Sequence, residues 1–219
     1  MKSLFEKKVE SWIKKRIPFY EKKLFKDKIT SWKELENLIN CRPFVSNARM
    51  KIPYGYTYNW YWQQWLSDKN SYPPSVVKRI MDTHWFYLCD CSRISKKINN
   101  ICKYLEELTK MPCDAHIFVS LEKGGKYDNQ SFGRHKDTQD NLIVCVEGSQ
   151  KMQLFREDNP TEIEFEDVFS PGDAIYIPAG RFHKVIGTGK KRLSISFPMI
   201  PGPTTHAAQE REWIEIDDK

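Results

Sequence analysis

The sequence lacks any long apolar run. No stretch approaches the ~20 residues that a membrane-spanning helix needs. The N-terminal MKSLFEKKVESWIKK carries charges throughout, so an apolar signal core is missing as well. Internal repeats and low-complexity segments are also absent. These absences predict an unexported, cytoplasmic protein, and the length of 219 residues suits one domain with a small helical addition.

Paired cysteine motifs are missing too. The six cysteines form no CxxC pair, and their spacing predicts neither a disulfide framework nor a zinc ribbon. They are Cys41, Cys89, Cys91, Cys102, Cys113 and Cys145. Free thiols of this kind favour a reducing compartment, which agrees with a cytoplasmic location.

Basic charge is concentrated at the N-terminus. Residues 1–28 hold ten lysine and arginine residues against four acidic ones, which accounts for the whole formal net charge of +6. Such a segment is suited to contact nucleic acid, a ribosome or an acidic partner. A solvated helix face explains the same charges, and the segment has no recognisable RNA-binding motif.

The N-terminal part, residues 1–112, shows the apolar periodicity of helices. Pro18 ends the first helix, and the capping-box spacing of Ser31 and Glu34 begins the second. The three predicted helices cover 4–13, the segment from 31, and 93–108. In 51–66, alternating tyrosine and tryptophan residues predict a strand whose aromatic face either packs or lines a substrate groove.

Short strands separated by turns replace the helices after residue 113. They are predicted at 116–121, 141–148, 151–155, 173–178 and 192–197. Strands at this spacing without intervening helices predict an antiparallel sandwich or barrel. The chain is therefore divided into a helical part, 1–112, which packs on a jelly-roll barrel, 113–200, and a C-terminal tail, 201–219.

Two motifs in the predicted barrel contain metal-ligating residues. The first is His135-Lys136-Asp137; side chains two residues apart on a strand point to one face, so both can reach one ion. The second is PGDAIYIPAGRFHKV, 171–185, with the pattern G-x5-P-x-G-x2-H that ends at His183. Its glycines and prolines build turns and bends that fix the position of the histidine.

Each motif has a simpler explanation when it stands alone. His-x-Asp is common on solvated strand faces, and His183 suits a core histidine satisfied by a backbone carbonyl. Because the two motifs occur together, with His183 placed 48 positions after His135, we favour a metal site. Two histidines and one carboxylate form the facial triad of non-haem Fe(II) oxygenases.

On these motifs, residues 114–200 resemble the JmjC and cupin-like branch of the 2-oxoglutarate oxygenases. The resemblance implies a double-stranded β-helix, with His135, Asp137 and His183 as catalytic metal ligands. It implies Fe(II) as the metal, with 2-oxoglutarate and dioxygen as co-substrates. It also implies that Asn141, six residues after the first histidine, contacts the oxo-acid.

One position departs from that branch. Its members usually carry Lys or Arg two residues after the glycine that turns the strand, whereas Gln150 stands two residues after Gly148. Strand alternation would point Lys151 outward. We expect Arg192 to bind the distal carboxylate with Ser194, since Arg-x-Ser on the final strand resembles the AlkB-like branch.

Alternation on the final strand places polar residues toward the barrel interior and apolar residues under the helices. The apolar set is Leu193, Ile195 and Phe197. The alternative for Arg192 is the end of a basic surface turn that begins at Lys190.

The sequence therefore predicts an Fe(II)- and 2-oxoglutarate-dependent dioxygenase that hydroxylates a protein or peptide side chain. A metal-dependent cupin enzyme that does not use 2-oxoglutarate stays open as an alternative, and Arg192 and Asn141 separate the two. A non-catalytic binding module is the other alternative, but such a module need not keep all three ligands.

Overall fold

The computed structural model describes residues 3–39, 48–51, 57–59, 85–89, 91–92, 94–120 and 133–201. The helices within these residues are α1 (Leu4–Lys15), α2 (Trp32–Ile39) and α3 (Lys96–Thr109). The strands are β1 (Phe19–Glu21), β2 (Ala48–Lys51), β3 (Thr57–Asn59), β4 (Trp85–Leu88), β5 (His116–Ser120), β6 (Asp140–Phe155), β7 (Ile163–Phe169), β8 (Ala174–Ile177) and β9 (His183–Met199). None of the described helices has the length and apolar character needed to cross a bilayer.

Serine caps fix where the helices begin. The Ser3 hydroxyl accepts from the Glu6 N–H at 3.2 Å, and the Glu6 carboxylate accepts from the Ser3 N–H at 2.6 Å, which completes a capping box. Ser31 and Ser95 accept from the N–H three residues later, at 3.3 and 3.2 Å. The three predicted helices are confirmed.

Nine strands of the described chain form one sheet in the order β1-β8-β6-β9-β5-β4-β2-β3, with β7 added on β6. The long strands β6 and β9 run through two layers. Their segments 140–147 and 192–199 pair between β8 and β5, whereas 150–155 and 183–187 pair beside β7. This is the predicted double-stranded β-helix, although hydrogen bonds between the described strands do not close it into a continuous barrel.

The strand boundaries around Gly148 differ from the prediction. Segments 141–148 and 151–155 are one continuous strand, and 192–197 is the second half of β9. Gly148 has a φ of +74°, and a Cβ there would clash with the Lys191 carbonyl. The pairing register shifts on both sides of this glycine, so it forms a bulge that bends the strand without ending it.

The two sides of the second half of β9 face different surroundings. The apolar set lies in one buried core with residues of α1 and α3: Leu193, Ile195 and Phe197. The polar set lines a cavity between the two layers: Arg192, Ser194 and Ser196. The predicted division of this strand is confirmed.

The N-terminal part contributes strands as well as helices. β1 extends one edge of the sheet beside β8, and β4 and β2 extend the other edge beyond β5. The predicted aromatic strand at 51–66 lies outside the described residues, apart from Lys51 and β3. The tail beyond residue 201 lies outside them too.

Basic residues of segment 1–28 form ion pairs with the barrel. Lys22 Nζ lies 2.8 Å from a carboxylate oxygen of Asp167, and Lys28 Nζ lies 3.2 Å from one of Glu147. These pairs neutralise part of the N-terminal charge within the chain.

Candidate metal centre

His135 and His183 lie side by side because their backbones pair. The His135 N–H donates to the His183 carbonyl at 3.0 Å, and the His183 N–H donates to the His135 carbonyl at 2.8 Å. The ring centroids are 4.3 Å apart. Within the described residues, His135 forms an isolated β-bridge with His183, and Asp137 lies in an irregular segment, so the strand geometry assumed for this motif is wrong. The short turn before β6 brings the carboxylate round to the two rings instead.

The carboxylate of Asp137 faces both imidazoles. Its Oδ1 lies 3.8 Å from His135 Nε2, and its Oδ2 lies 3.7 Å from His183 Nε2. Ligand atoms of the three residues all lie within 4.8 Å of one another, and the described residues add no fourth His, Cys, Asp or Glu. Atoms that bind one transition metal at about 2.0–2.2 Å lie at most about 4.4 Å apart. The carboxylate–imidazole separations therefore suit a shared ion.

Backbone carbonyls orient both rings. His135 Nδ1 lies 3.1 Å from the Gly133 carbonyl oxygen, and His183 Nδ1 lies 3.1 Å from that of Arg181. Because a carbonyl only accepts, each Nδ1 donates its N–H to that carbonyl, which leaves each Nε2 directed toward Asp137. Metal-binding histidines are usually held in this way.

Asn141 holds the carboxylate of Asp137. Its side-chain N–H group donates to Asp137 Oδ2 at 2.5 Å, and its amide oxygen accepts from the Ser196 hydroxyl at 3.0 Å. Asn141 is 2% exposed and lines the cavity, so its expected contact with an oxo-acid stays a prediction.

One cavity contains this cluster and the polar side of β9. The empty space among its lining side chains is about 500 Å³, including the part open to solvent. Its described lining residues are His116, Phe118, His135, Asp137, Gln139, Asn141, Ile143, His183, Val185, Arg192, Ser194 and Ser196. Sequence reasoning missed Phe118, Ile143 and Val185, because a single apolar residue on a strand gives no signal of a cavity.

Arg192 lies in the same cavity and is completely buried. None of its three guanidinium nitrogens has a hydrogen-bond partner within the part of the chain that the structure describes. Burial lowers the pKa of Arg192 to about 10, so the side chain still carries its charge at pH 7. Burial also raises the pKa of the Cys145 thiol to about 12, so this neighbour is neutral and supplies no counter-charge.

Lys151 points away from the cavity, as predicted. Its Nζ lies 3.3 Å from a carboxylate oxygen of Glu166 on β7. Gln150 is 1% exposed but does not line the cavity. Among the described lining residues, Arg192 is the only lysine or arginine.

His116 is a third histidine of the cavity lining, outside the metal cluster. It is 3% exposed and lines the cavity from β5, opposite Ser196. Its Nε2 lies 3.2 Å from a carboxylate oxygen of Asp114.

A scan against protein-family profiles finds no match, and a search of curated proteins finds none. Solved structures do match. The structure of YcfD, a ribosomal oxygenase from Escherichia coli, in complex with cobalt and 2-oxoglutarate aligns with a TM-score of 0.64 and 18% identity, over 91% of this chain and 53% of that one. The same protein in complex with cobalt and succinic acid gives a TM-score of 0.61 and 18% identity, over 90% and 52%.

The chain thus spans about half the length of the solved structures it matches. At this level of identity the likeness shows the fold. The likeness confirms the predicted double-stranded β-helix fold.

Proposed function

We propose that this chain is an Fe(II)- and 2-oxoglutarate-dependent dioxygenase that hydroxylates a protein or peptide side chain. The observation that carries the proposal is the buried guanidinium of Arg192, which has no described partner and shares a cavity with the His-Asp-His cluster. An unpaired buried charge is costly, so a ligand that brings an anion into this cavity explains why the arginine is there.

The donor set fits Fe(II). Two imidazole nitrogens and one carboxylate form the facial triad that leaves metal positions open, whereas structural zinc sites usually have four protein ligands. When bound, Fe(II) with 2-oxoglutarate and dioxygen supplies the oxidising chemistry that hydroxylates a C–H bond.

The residues around the cluster hold these ligands in place. The carbonyl groups of Gly133 and Arg181 keep the histidine protons on Nδ1. The Asn141 amide fixes the carboxylate of Asp137. Ligands held in this way are oriented before any metal arrives, which lowers the cost of binding.

The Arg192 end of the cavity suits the distal carboxylate of 2-oxoglutarate. A guanidinium makes two parallel charge-assisted hydrogen bonds to a carboxylate, and the Ser194 hydroxyl on the same side of β9 is placed to add a third. Phe118, Ile143 and Val185 add apolar side chains to the lining of the same cavity. Asn141 is the further residue that we expect beside the oxo-acid.

A protein or peptide is proposed as the prime substrate because the aligned structures are those of a ribosomal oxygenase. The ion pairs of Lys22 and Lys28 account for part of the basic charge of segment 1–28, so the proposal needs no nucleic acid or ribosome contact there. A cytoplasmic location stays the prediction that cysteine usage favours. A cupin enzyme that does not use 2-oxoglutarate would need a different anion to pair with Arg192, and no described feature favours it.

Succinate formation tests the proposal. Purified protein with Fe(II), ascorbate and 2-oxoglutarate should form succinate slowly without a prime substrate. His135→Ala and Asp137→Ala should abolish this turnover, whereas Lys151→Ala should retain it. Equal succinate from the wild type and both ligand variants would contradict the proposal.

A further inference from the structure

Two short segments carry the whole metal cluster, and hydrogen bonds join them. Three of these bonds are between backbones: two link His135 and His183, and the third runs from the Gly180 N–H to the Asp137 carbonyl at 2.8 Å. A further hydrogen bond uses a side chain. The Ala179 N–H donates to Asp140 Oδ1 at 2.8 Å. The Lys136 ammonium also lies 5.6 Å from the centroid of the Phe182 ring across this junction. The Asp140 carboxylate differs because it accepts a hydrogen bond directly from the backbone of the turn before His183.

The Asp140 carboxylate accepts hydrogen bonds from three parts of the fold. Besides Ala179, its Oδ1 accepts from the Arg16 guanidinium at the end of α1, at 3.3 Å. Its Oδ2 accepts from the Tyr176 hydroxyl on β8 at 2.7 Å. Asp140 is 5% exposed and starts β6, three residues after Asp137. Helix α1, strand β8 and the turn before His183 are thus all held to the segment that carries Asp137.

We propose that Asp140 is a positioning residue for the metal centre, holding the turn that carries His183 against the segment that carries Asp137. The inference rests on the proposed metal site. The same turn contains Arg181, whose carbonyl orients the His183 ring. Release of this turn would therefore shift a ligand and its orienting group together. Asn141 acts differently, because it touches the carboxylate of Asp137 directly.

Asp173 is a matched control in the same fold. Asp173 is 2% exposed and lies just before β8. Two of the three Asp140 partners, Tyr176 and Ala179, lie on β8 and just after it. The Asp173 carboxylate accepts from the Lys23 N–H at 2.9 Å and the Ser170 N–H at 2.8 Å. Both aspartates thus tie the N-terminal segment to a turn beside β8, but the described contacts of the Asp173 carboxylate do not include the metal-cluster segments.

The test is titration of the full chain with Co(II) alone, followed by visible absorption, at a temperature where each variant is folded. Asp140→Ala should weaken cobalt binding about 10- to 100-fold, the usual effect of losing a group that orients metal ligands. Asp140→Asn keeps one amide oxygen for the Ala179 N–H and should recover part of this loss. Asp173→Ala should bind cobalt with an affinity within about twofold of the wild type. This should hold even if its unfolding midpoint falls as much as that of Asp140→Ala.

Two results would overturn the proposal: unchanged cobalt affinity in Asp140→Ala, or an equal loss in Asp173→Ala, which would make the effect one of general stability. If Asp140→Ala does not fold, the comparison passes to Asp140→Asn and Asp173→Asn, of which only the first should lose affinity. A wild-type chain that binds no cobalt would remove the proposed function itself, and the inference with it. The readout needs no turnover, so failure of the oxygenase chemistry is distinguishable from failure of the positioning role.

Discussion

The two ends of the cavity differ in how far the chain itself satisfies their polar groups. At the metal end, both histidine Nδ1 atoms and the carboxylate of Asp137 have hydrogen-bond partners within the chain. At the other end, the Arg192 guanidinium has no hydrogen-bond partner among the described residues. The buried hydroxyl of Ser120, the residue of β5 that pairs with Arg192, has none there either.

This difference separates two ways of preparing a site. The metal end is oriented in advance by groups of the chain, so binding an ion needs little reorganisation. The Arg192 end keeps a desolvated charge whose partner has to come from outside. The first arrangement costs little stability, whereas the second lowers the stability of the ligand-free chain in favour of an anionic ligand.

Removal of the Asp137 carboxylate, the one anionic side chain of the described metal cluster, should have the largest effect. Asp137→Ala should weaken Co(II) binding by more than about 100-fold, since loss of groups that merely orient ligands already costs about 10- to 100-fold. Anaerobic titration of the variant would measure this. Cobalt binding close to that of the wild type would place the ion elsewhere.

Replacement of Arg192 by an apolar residue should change the stability of the ligand-free chain and the binding of 2-oxoglutarate in opposite directions. In Arg192→Met, the ligand-free chain should be as stable as the wild type or more stable by up to about 4 kcal/mol, as when buried charges are replaced by apolar groups. Stabilisation by added 2-oxoglutarate should be lost. Urea unfolding with and without 2-oxoglutarate measures both quantities. A loss of several kcal/mol in the ligand-free variant would reveal a partner for Arg192 within the chain.

Asn141→Ala should loosen the metal end without removing a ligand. Asp137 then loses the donor at its Oδ2, and we expect cobalt affinity to fall about tenfold, at the low end of such effects. Asn141→Asp is the sharper variant, because it places a second carboxylate where the amide donated. The prediction would be wrong if either variant bound cobalt as tightly as the wild type.

The smallest expected effect is that of Ser194→Ala. A single hydroxyl contributes about 0.5–1.5 kcal/mol, so the Kd for 2-oxoglutarate should rise roughly two- to tenfold. Calorimetry on the cobalt-loaded chain can resolve this. An effect larger than that of an Arg192 substitution would reverse the proposed roles of the two side chains.

The cavity residues on β9 could be predicted because strand alternation depends only on local sequence. Arg192 and Ser194 share a side, so once the apolar set is assigned to the helices, their direction follows. The clustering of His135, Asp137 and His183 could be predicted for a different reason: the spacing of the second motif is specific, although the strand geometry expected at the first motif is absent.

Other features depend on partners that are distant in sequence. Gly148 is typical of a turn, and only the nearby Lys191 carbonyl shows that it is a bulge inside β6. Strand β7, Ile163–Phe169, was missed because most of its residues are exposed and several are acidic, which is also typical of a loop. Asp140 gave no signal, since its partners lie 36, 39 and 124 residues away.

The central claim is that Arg192, and not Lys151, binds the distal carboxylate of 2-oxoglutarate. Calorimetric titration of the cobalt-loaded chain with 2-oxoglutarate under nitrogen tests it most directly. Arg192→Ala should raise the Kd about 10- to 100-fold, the effect of losing a charge-assisted contact worth ~1.5–3 kcal/mol, and should leave cobalt binding intact. Lys151→Ala, which removes an outward-facing cation paired with Glu166, should leave the Kd unchanged. Normal binding in Arg192→Ala together with lost binding in Lys151→Ala would contradict the account.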